Sequence, residues 1–315
     1  MFQYILKRLL QLIPVLLVIS VLVFSLIHLI PGDPAEIILG FETTDPQIIA
    51  AVRHSFGLDK PLYIQYFLWL KQIARGDFGK SPQTGRPVLQ SILESYSFTI
   101  ELAIYAFFLM VTIAIPLGAL AAVSSSKVPE LIAQAVTLFG LSTPSFWSGS
   151  MFILLFSVHL HWFPVVHFSA FFANPLNNIW GFFLPAMTLA IPNTASTIRM
   201  VRASMLEVKG QDYIKTARAK GLNESNVILK HMLKNALIPI ITTIGINAGY
   251  LLGGAIVVEQ IFAIPGVGRL GLQAIVQRDY PTLQGVVLFI ALSVVLVNLV
   301  TDLTYFFLNP KIRYR

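Results

Sequence analysis

The chain reads as an all-α membrane protein with six transmembrane helices and a small extracytoplasmic subdomain between the first and second spans. Three observations predict that class. Residues are 56% hydrophobic and only 12% charged, with mean hydropathy +0.74, far from the roughly 25% charged content of soluble domains. Six windows, residues 9–30, 102–123, 131–158, 179–198, 236–258 and 283–308, are long and apolar enough to cross a hydrocarbon core that takes about 20 helical residues. The basic residues are also unevenly placed. Of 22, 14 lie at Lys7 and Arg8, at Lys127, in the eight of residues 199–234, or at Lys311, Arg313 and Arg315. The opposite short loops carry two, Arg269 and Arg278, and residues 31–100 carry six. An even number of spans puts both termini on one side, and this asymmetry predicts that side to be cytoplasmic. The net charge of +7 is then membrane orientation and calls for no nucleic-acid partner.

The first window follows Lys7 and Arg8 as a secretory signal would. Its apolar core exceeds an ordinary signal core and no small-x-small cleavage site follows, so a retained anchor is expected. Residues 31–100 differ in composition, with eight acids counted through Glu101. There Asp45 and Pro46 predict an N-cap and first turn opening a helix through Ile48, Ile49, Val52 and Phe56, closed by Gly57. A second helix is expected after Pro61, ending near Gly76; its apolar run 63–70, bracketed by Lys60 and Lys71, is too short to span. Gly76, Gly79, Pro82, Gly85 and Pro87 then predict a loop.

Within the spans, Pro116, Pro144, Pro185 and Pro192 predict bends or the walls of a changing cavity. Gly245, Gly249 and Gly253 recur every four residues, leaving one face of the fifth span without side chains. Close helix packing or a translocation path would use such a face. His28, Asn193, Asn247, Asn298 and Asp302 are intramembrane polar groups that must find partners or face water.

The most informative segment is GQDYIKTARAKG, residues 210–221. Asp212 is expected as N-cap, Ile214 and Ala217 on one helical face, and Gly221 as the left-handed residue that ends the helix. Lys215, Arg218 and Lys220 lie toward the C-terminal end, where positive charge suits the helix dipole. Ala217, Ala219 and Gly221 keep a low profile on which another protein can sit closely. An amphipathic loop helix lying on anionic lipid has the same letters.

Several chemistries are missing. With no cysteine there is no disulfide, thiolate metal site or cysteine nucleophile. Gly266, Gly268 and Gly271 spell GxGxxG, but they follow a span and no strand of a βαβ unit precedes them, so tight turns are expected. No GxxxxGK[ST], HExxH or GxSxG segment occurs. His159, His161 and His167 raise a metal question, yet no carboxylate lies near them, and packing beside Trp162 and Phe163 is expected instead. A secondary transporter would need charged groups deep in the bundle for ion coupling, and the span centres hold almost none. An intramembrane hydrolase would need a nucleophile and base that the spans do not offer.

The opening LKRLLQLIPVLLVISVLVFSLIHLIPGDP, followed by GLDKPLYIQY, GDFGKS and RPV, and then ARAKGL, HMLKNALIP, GGAIVVEQIFAIPGVGRL, RDYPTLQG and NPKIR, carry a resemblance over essentially the whole chain. It resembles the inner-membrane permeases of ATP-binding cassette importers, in the branch handling dipeptides, oligopeptides, glutathione and nickel. The resemblance implies the type I importer permease fold, divided into an amino tail and first span (1–30), an extracytoplasmic subdomain (31–100), a transmembrane core (101–308) with a coupling loop (199–235), and a cytoplasmic tail (309–315). In that family the coupling loop bears the EAA motif, a short helix that fits a cleft on an ATPase subunit. Aligning the motif's glycine with Gly221 puts Lys215 and Thr216 where the general motif has glutamate and its first alanine, and Ala217 on its second. The implied contact surface is Tyr213, Ala217, Arg218, Ala219, Lys220, Gly221 and Leu222.

The resemblance further implies a bacterial inner-membrane, multi-pass subunit without catalytic residues, metal or cofactor of its own. Its implied partners are a second homologous permease, two ATPases that bind ATP and Mg, and a solute-binding protein meeting residues 31–87 and 259–282. The implied cargo is a dipeptide or glutathione, with nickel or a nickel chelate as the alternative. Gly245, Asn247, Gly249 and Gly253 are the packing or pathway residues.

Overall fold

The computed structural model describes residues 2–29, 46–55, 58–165, 168, 171 and 174–308. Among these, all regular structure is helical apart from one isolated bridge between Lys80 and Pro87. Helices occupy all six apolar windows. They are α1 (Phe2–Leu29), α4 (Val88–Val123), the pair α5 (Val128–Ser142) and α6 (Ser145–His159), α7 (Pro175–Lys209), α9 (Glu224–Gly253) with α10 (Ala255–Ile261), and α12 (Tyr280–Leu308). By length and composition α4, α9 and α12 each suffice to cross a membrane, and α5 with α6 makes a fourth if counted as one span. Only 28–39% of the three most apolar windows is buried, so most of their surface is left for lipid or other subunits.

Two expected spans are not straight. The third breaks between α5 and α6, which meet at 107°. Thr143 is extended (φ −94°, ψ 122°) and Pro144 follows at φ −62°, ψ 139°; proline removes an N–H and pushes its predecessor out of the helical region. Pro116, Pro185 and Pro192, by contrast, sit inside continuous helices. The fifth stops at Gly253, and α10 restarts at Ala255. Two seven-residue π-helical stretches, Ile153–His159 in α6 and Val227–Leu233 in α9, locally widen the helical ladder.

The chain forms two compact units, Met1–Thr99 with Pro265–Val295 and Ile100–Ile264 with Leu296–Arg315. Of residues 31–100, expected as a subdomain of their own, the described ones up to Thr99 share the first unit with residues 265–295. The physical reason is a shortage of core. Helix α3 (Leu62–Ala74), which opens after Pro61 as expected, buries no residue completely. It leans on α1 instead, where Tyr66 sits edge-on to Phe24 with ring centroids 5.5 Å apart and shares a 2.8 Å hydrogen bond with the Ser20 hydroxyl. Helix α2 (Pro46–Ser55) opens at Pro46 as expected; Asp45 and Gly57, its expected boundary residues, lie outside the described residues.

Also in the first unit, Val88, Ile92, Val267 and Val286 form a buried cluster joining α4, α11 (Val267–Val276) and α12. Gly285 lets them close, since a Cβ there would lie 2.8 Å from Val88 and 2.9 Å from Ile92. The GxGxxG letters open helix α11 with no strand before it, and Gly271 packs on Val286. In the second unit α7 is the central element. It packs on α5 through Gly140, where a Cβ would come within 2.8 Å of Ala195, and on α4 through Gly118, where one would meet Val201 at 2.7 Å.

Candidate functional site

The loop after α7 folds as a short helix, α8 (Asp212–Ala219), with one face spent inside the second unit. Ile214 is fully buried and Ala217 nearly so, against Ala122, Val201, Met205, Val227, Met232, Ala236 and Ile240. The Lys209 ammonium donates to the Ala122 carbonyl at 3.0 Å, tying the end of α7 to the end of α4. Burying an isoleucine side chain contributes roughly 1.5–3 kcal/mol, so this eight-residue helix, too short to be stable alone, is held by tertiary packing.

The N-terminus differs by one residue from expectation. Gln211, at φ −75° and ψ 145°, is the N-cap and its side chain makes no capping bond; Asp212 is the first helical residue and accepts from Lys215 Nζ at 2.9 Å. A carboxylate in the first turn still suits the dipole. The C-terminus is as expected. Gly221 is left-handed at φ +76°, its N–H donates to the Arg218 carbonyl (2.9 Å), and the Leu222 N–H donates to the Ala217 carbonyl (3.4 Å). This pair of bonds is a Schellman motif. A Cβ at Gly221 would meet nothing within 4 Å, so the backbone angle, and no packing within the chain, requires glycine.

Of the implied contact residues, Tyr213, Arg218, Ala219, Lys220, Gly221 and Leu222 lie on the outward surface, beside Asp212, Lys215 and Thr216, with Tyr213 and Leu222 44% and 41% exposed. Ala217, expected on that surface, points into the chain. Glu224 was not anticipated from the sequence. Its carboxylate receives Arg218 Nη2 at 2.6 Å and Nε at 3.1 Å. This hydrogen bonding raises the arginine's pKa and holds the carboxyl of Glu224, the first residue of α9 and well ahead of the apolar window 236–258, below its usual range. Both groups stay charged, and the guanidinium is held in one orientation at the surface. The readable signal was the Arg218 to Glu224 spacing across a glycine turn.

Along α9 the expected polar and small positions separate. Asn247 Nδ2 donates to Thr197 Oγ1 (2.9 Å), Ser196 Oγ (3.0 Å) and the Asn193 carbonyl (3.3 Å), so it joins α9 to α7. Gly245 lies against Thr301 of α12, where a Cβ would approach Cγ2 to 2.0 Å. Gly249 is buried, whereas Gly253 faces open space. The glycine stripe is thus a packing face at one end and open at the other.

Parts of the two segments expected to meet a binding protein, at residues 81–83 and 277–279, come together in the first unit. Ser81 donates to Asp279 Oδ2 at 2.5 Å, and Gln83 Nε2 donates to the Gln277 carbonyl at 3.2 Å. Asp279 also caps α12, accepting from the Thr282 N–H (3.1 Å) and hydroxyl (2.8 Å). An aspartate two residues before Pro281 carried that signal. Glu259, which begins the second segment, is completely buried and offers no surface. Near His159 and His161, Phe163 stacks on Trp180 (4.7 Å) and Phe183 (5.2 Å), and Trp180 Nε1 donates to the Trp162 carbonyl. Among the described residues no three of His, Cys, Asp or Glu converge on a metal geometry; His167 lies outside them.

A short helix anchored between two long membrane helices, presenting basic and small residues outward, calls for comparison with known transport subunits. The family described as "Binding-protein-dependent transport system inner membrane component" matches residues 114–314, and its N-terminal companion matches residues 1–103. The chain belongs to this family of permeases. It is 42% identical over 316 residues to the glutathione transport system permease protein GsiC of Escherichia coli (strain K12) and to that of Salmonella typhi, covering 100% of both chains in each case. The MetNI methionine ABC transporter, in inward-facing conformations, includes a chain that superposes with a TM-score of 0.58 at 18% identity, over 70% of this permease and 97% of that chain. An amino acid ABC transporter gives 0.51 at 18% identity, over 69% and 93%. At that identity the likeness is one of fold. This permease is a multi-pass protein of the importer permease fold, as its motifs implied.

Proposed function

We propose that this permease forms half of the translocation pathway of an ATP-driven importer for small peptides, a dipeptide or glutathione, and that α8 couples it to the ATPase. The observation that carries the coupling assignment is the two-sided character of α8. Its inner face is locked to α4, α7 and α9 through Ile214 and Ala217, while its outer face ends in a glycine turn with open space around it. A push on the outer face is thereby passed to the long helices. The cargo assignment is supported by the full-length identity to glutathione permeases.

On this reading residues 199–235 and both termini are cytoplasmic, in keeping with their basic residues. Two separate ATPases bind ATP and Mg, and a second homologous permease completes the pathway. A solute-binding protein docks outside, on the surface near Ser81 and Asp279. The permease supplies no covalent chemistry. Nucleotide and cargo each shift the equilibrium only through differential binding to the two conformations.

The test is uptake of labelled dipeptide, glutathione and nickel by cells lacking the chain, restored with wild type or Gly221→Asp. Restoration of peptide or glutathione uptake by wild type alone is expected. Nickel uptake alone would overturn the cargo, and equal rescue by the glycine variant would overturn the coupling surface.

A further inference from the structure

We infer that a groove between α5 and α7 is a binding site for one anionic phospholipid of the cytoplasmic leaflet. The groove encloses about 640 Å³ and is lined by Leu131, Leu138 and Leu141 on one wall, Ile198 at its base, and Arg199 and Arg202 at one end. Leu131, Leu138 and Leu141 are 60%, 71% and 48% exposed, an apolar surface that water would not tolerate but an acyl chain covers. From Leu131 to Leu141 a helix rises about 15 Å, half of a hydrocarbon core about 30 Å thick. The groove is therefore one leaflet deep.

Its charged end matches a phosphate. Arg202 gives Nη2 to Glu130 at 2.6 Å, while its Nε–H is buried with no acceptor. Arg199 is exposed and pairs with no carboxylate among the described residues. Lys127, the N-cap of α5, lies at the same end. Three cations stand against the Glu130 carboxylate, and the exposed Arg199 guanidinium is the donor that meets a headgroup anion, with the acyl chain running along the leucines. Basic pockets between helices at the cytoplasmic side suit anionic headgroups in this way. A neutral headgroup would leave that excess charge uncompensated, and a helix from the second permease would need acids to meet it.

The inference rests on the orientation proposed above. A cysteine at Ser125, exposed in the loop between α4 and α5 and away from the coupling surface, modified in the assembled transporter by an impermeant reagent from the cytoplasmic side only, checks orientation separately. The test of the site reconstitutes the assembled transporter with photoactivatable phosphatidylglycerol or phosphatidylcholine and maps the labelled peptides. Phosphatidylglycerol is expected to label residues 131–141, falling about fivefold in Arg199→Gln, with phosphatidylcholine near background in both. Leu138→Trp, which fills the groove and keeps both guanidiniums, is expected to abolish the label. Equal labelling by the two lipids, label unchanged by either variant, or a cysteine at position 138 that cross-links to the second permease would overturn the site.

Discussion

Replacing Gly221 tests whether the turn or the clearance at the end of α8 matters for coupling. At φ +76° an alanine costs about 1–2 kcal/mol, whereas asparagine tolerates the left-handed region far better. Because a Cβ there meets nothing within 4 Å, neither variant clashes within the permease. Ile214 and Ala217 keep the inner face in place, so both variants are expected to insert and fold at wild-type levels. Strain of that size shifts an equilibrium about 5–30-fold, and Gly221→Ala should lower transport within that range. Gly221→Asn should lower it at least as much, since its side chain projects from the docking face. The assay is cargo uptake by reconstituted transporter with ATP hydrolysis measured in parallel. Wild-type transport by the asparagine variant beside impaired transport by the alanine variant would mean that only the turn matters, and the docking surface would be refuted.

Gly245→Ala forces a methyl to within 2.0 Å of Thr301 Cγ2, an overpacking that should cost about 1–3 kcal/mol. Thr301→Gly should restore most of the loss in thermal unfolding of the detergent-solubilised protein; an unchanged midpoint for Gly245→Ala alone would rule the contact out. Asn247→Ala removes the bonds to Ser196 and Thr197 and should lower stability by about 0.6–2 kcal/mol, a value that a Thr197→Val double-mutant cycle can assign to the pair if it is there. Asp279→Ala leaves the Ser81 and Thr282 hydroxyls without their acceptor at about 1–3 kcal/mol each; protease sensitivity near residues 76–87 should rise, and identical digestion patterns would contradict the network. Glu224→Gln weakens a solvent-screened surface ion pair, so stability should hold while hydrolysis coupled to transport falls. Unaltered coupling would show that holding Arg218 in one orientation is unimportant.

Much of the candidate site was legible because it rests on local rules. Gly221 is left-handed for the reason its letters suggest, and Ile214 and Ala217 share a face because three residues nearly complete a helical turn. Pairings distant in sequence were not legible. No local pattern says that Gly245 closes on Thr301 or that Ser81 binds Asp279, 198 positions later. Nor does it say that Ala217 faces inward to a cluster drawn from three other helices.

The sequence by itself determined the membrane environment, the helical class and the position of the glycine turn that ends α8. Hydrophobic length, charge asymmetry and backbone preference act within a few residues of one another. Tertiary structure decided which proline breaks a span, since Pro144 lies at the break between α5 and α6 while Pro116, Pro185 and Pro192 sit inside continuous helices. It also decided which small residues pack, and that the described residues of the segment ending at Thr99 join 265–295 rather than stand alone. Those outcomes depend on whether neighbouring helices supply the missing contacts, and that is a property of the assembled fold.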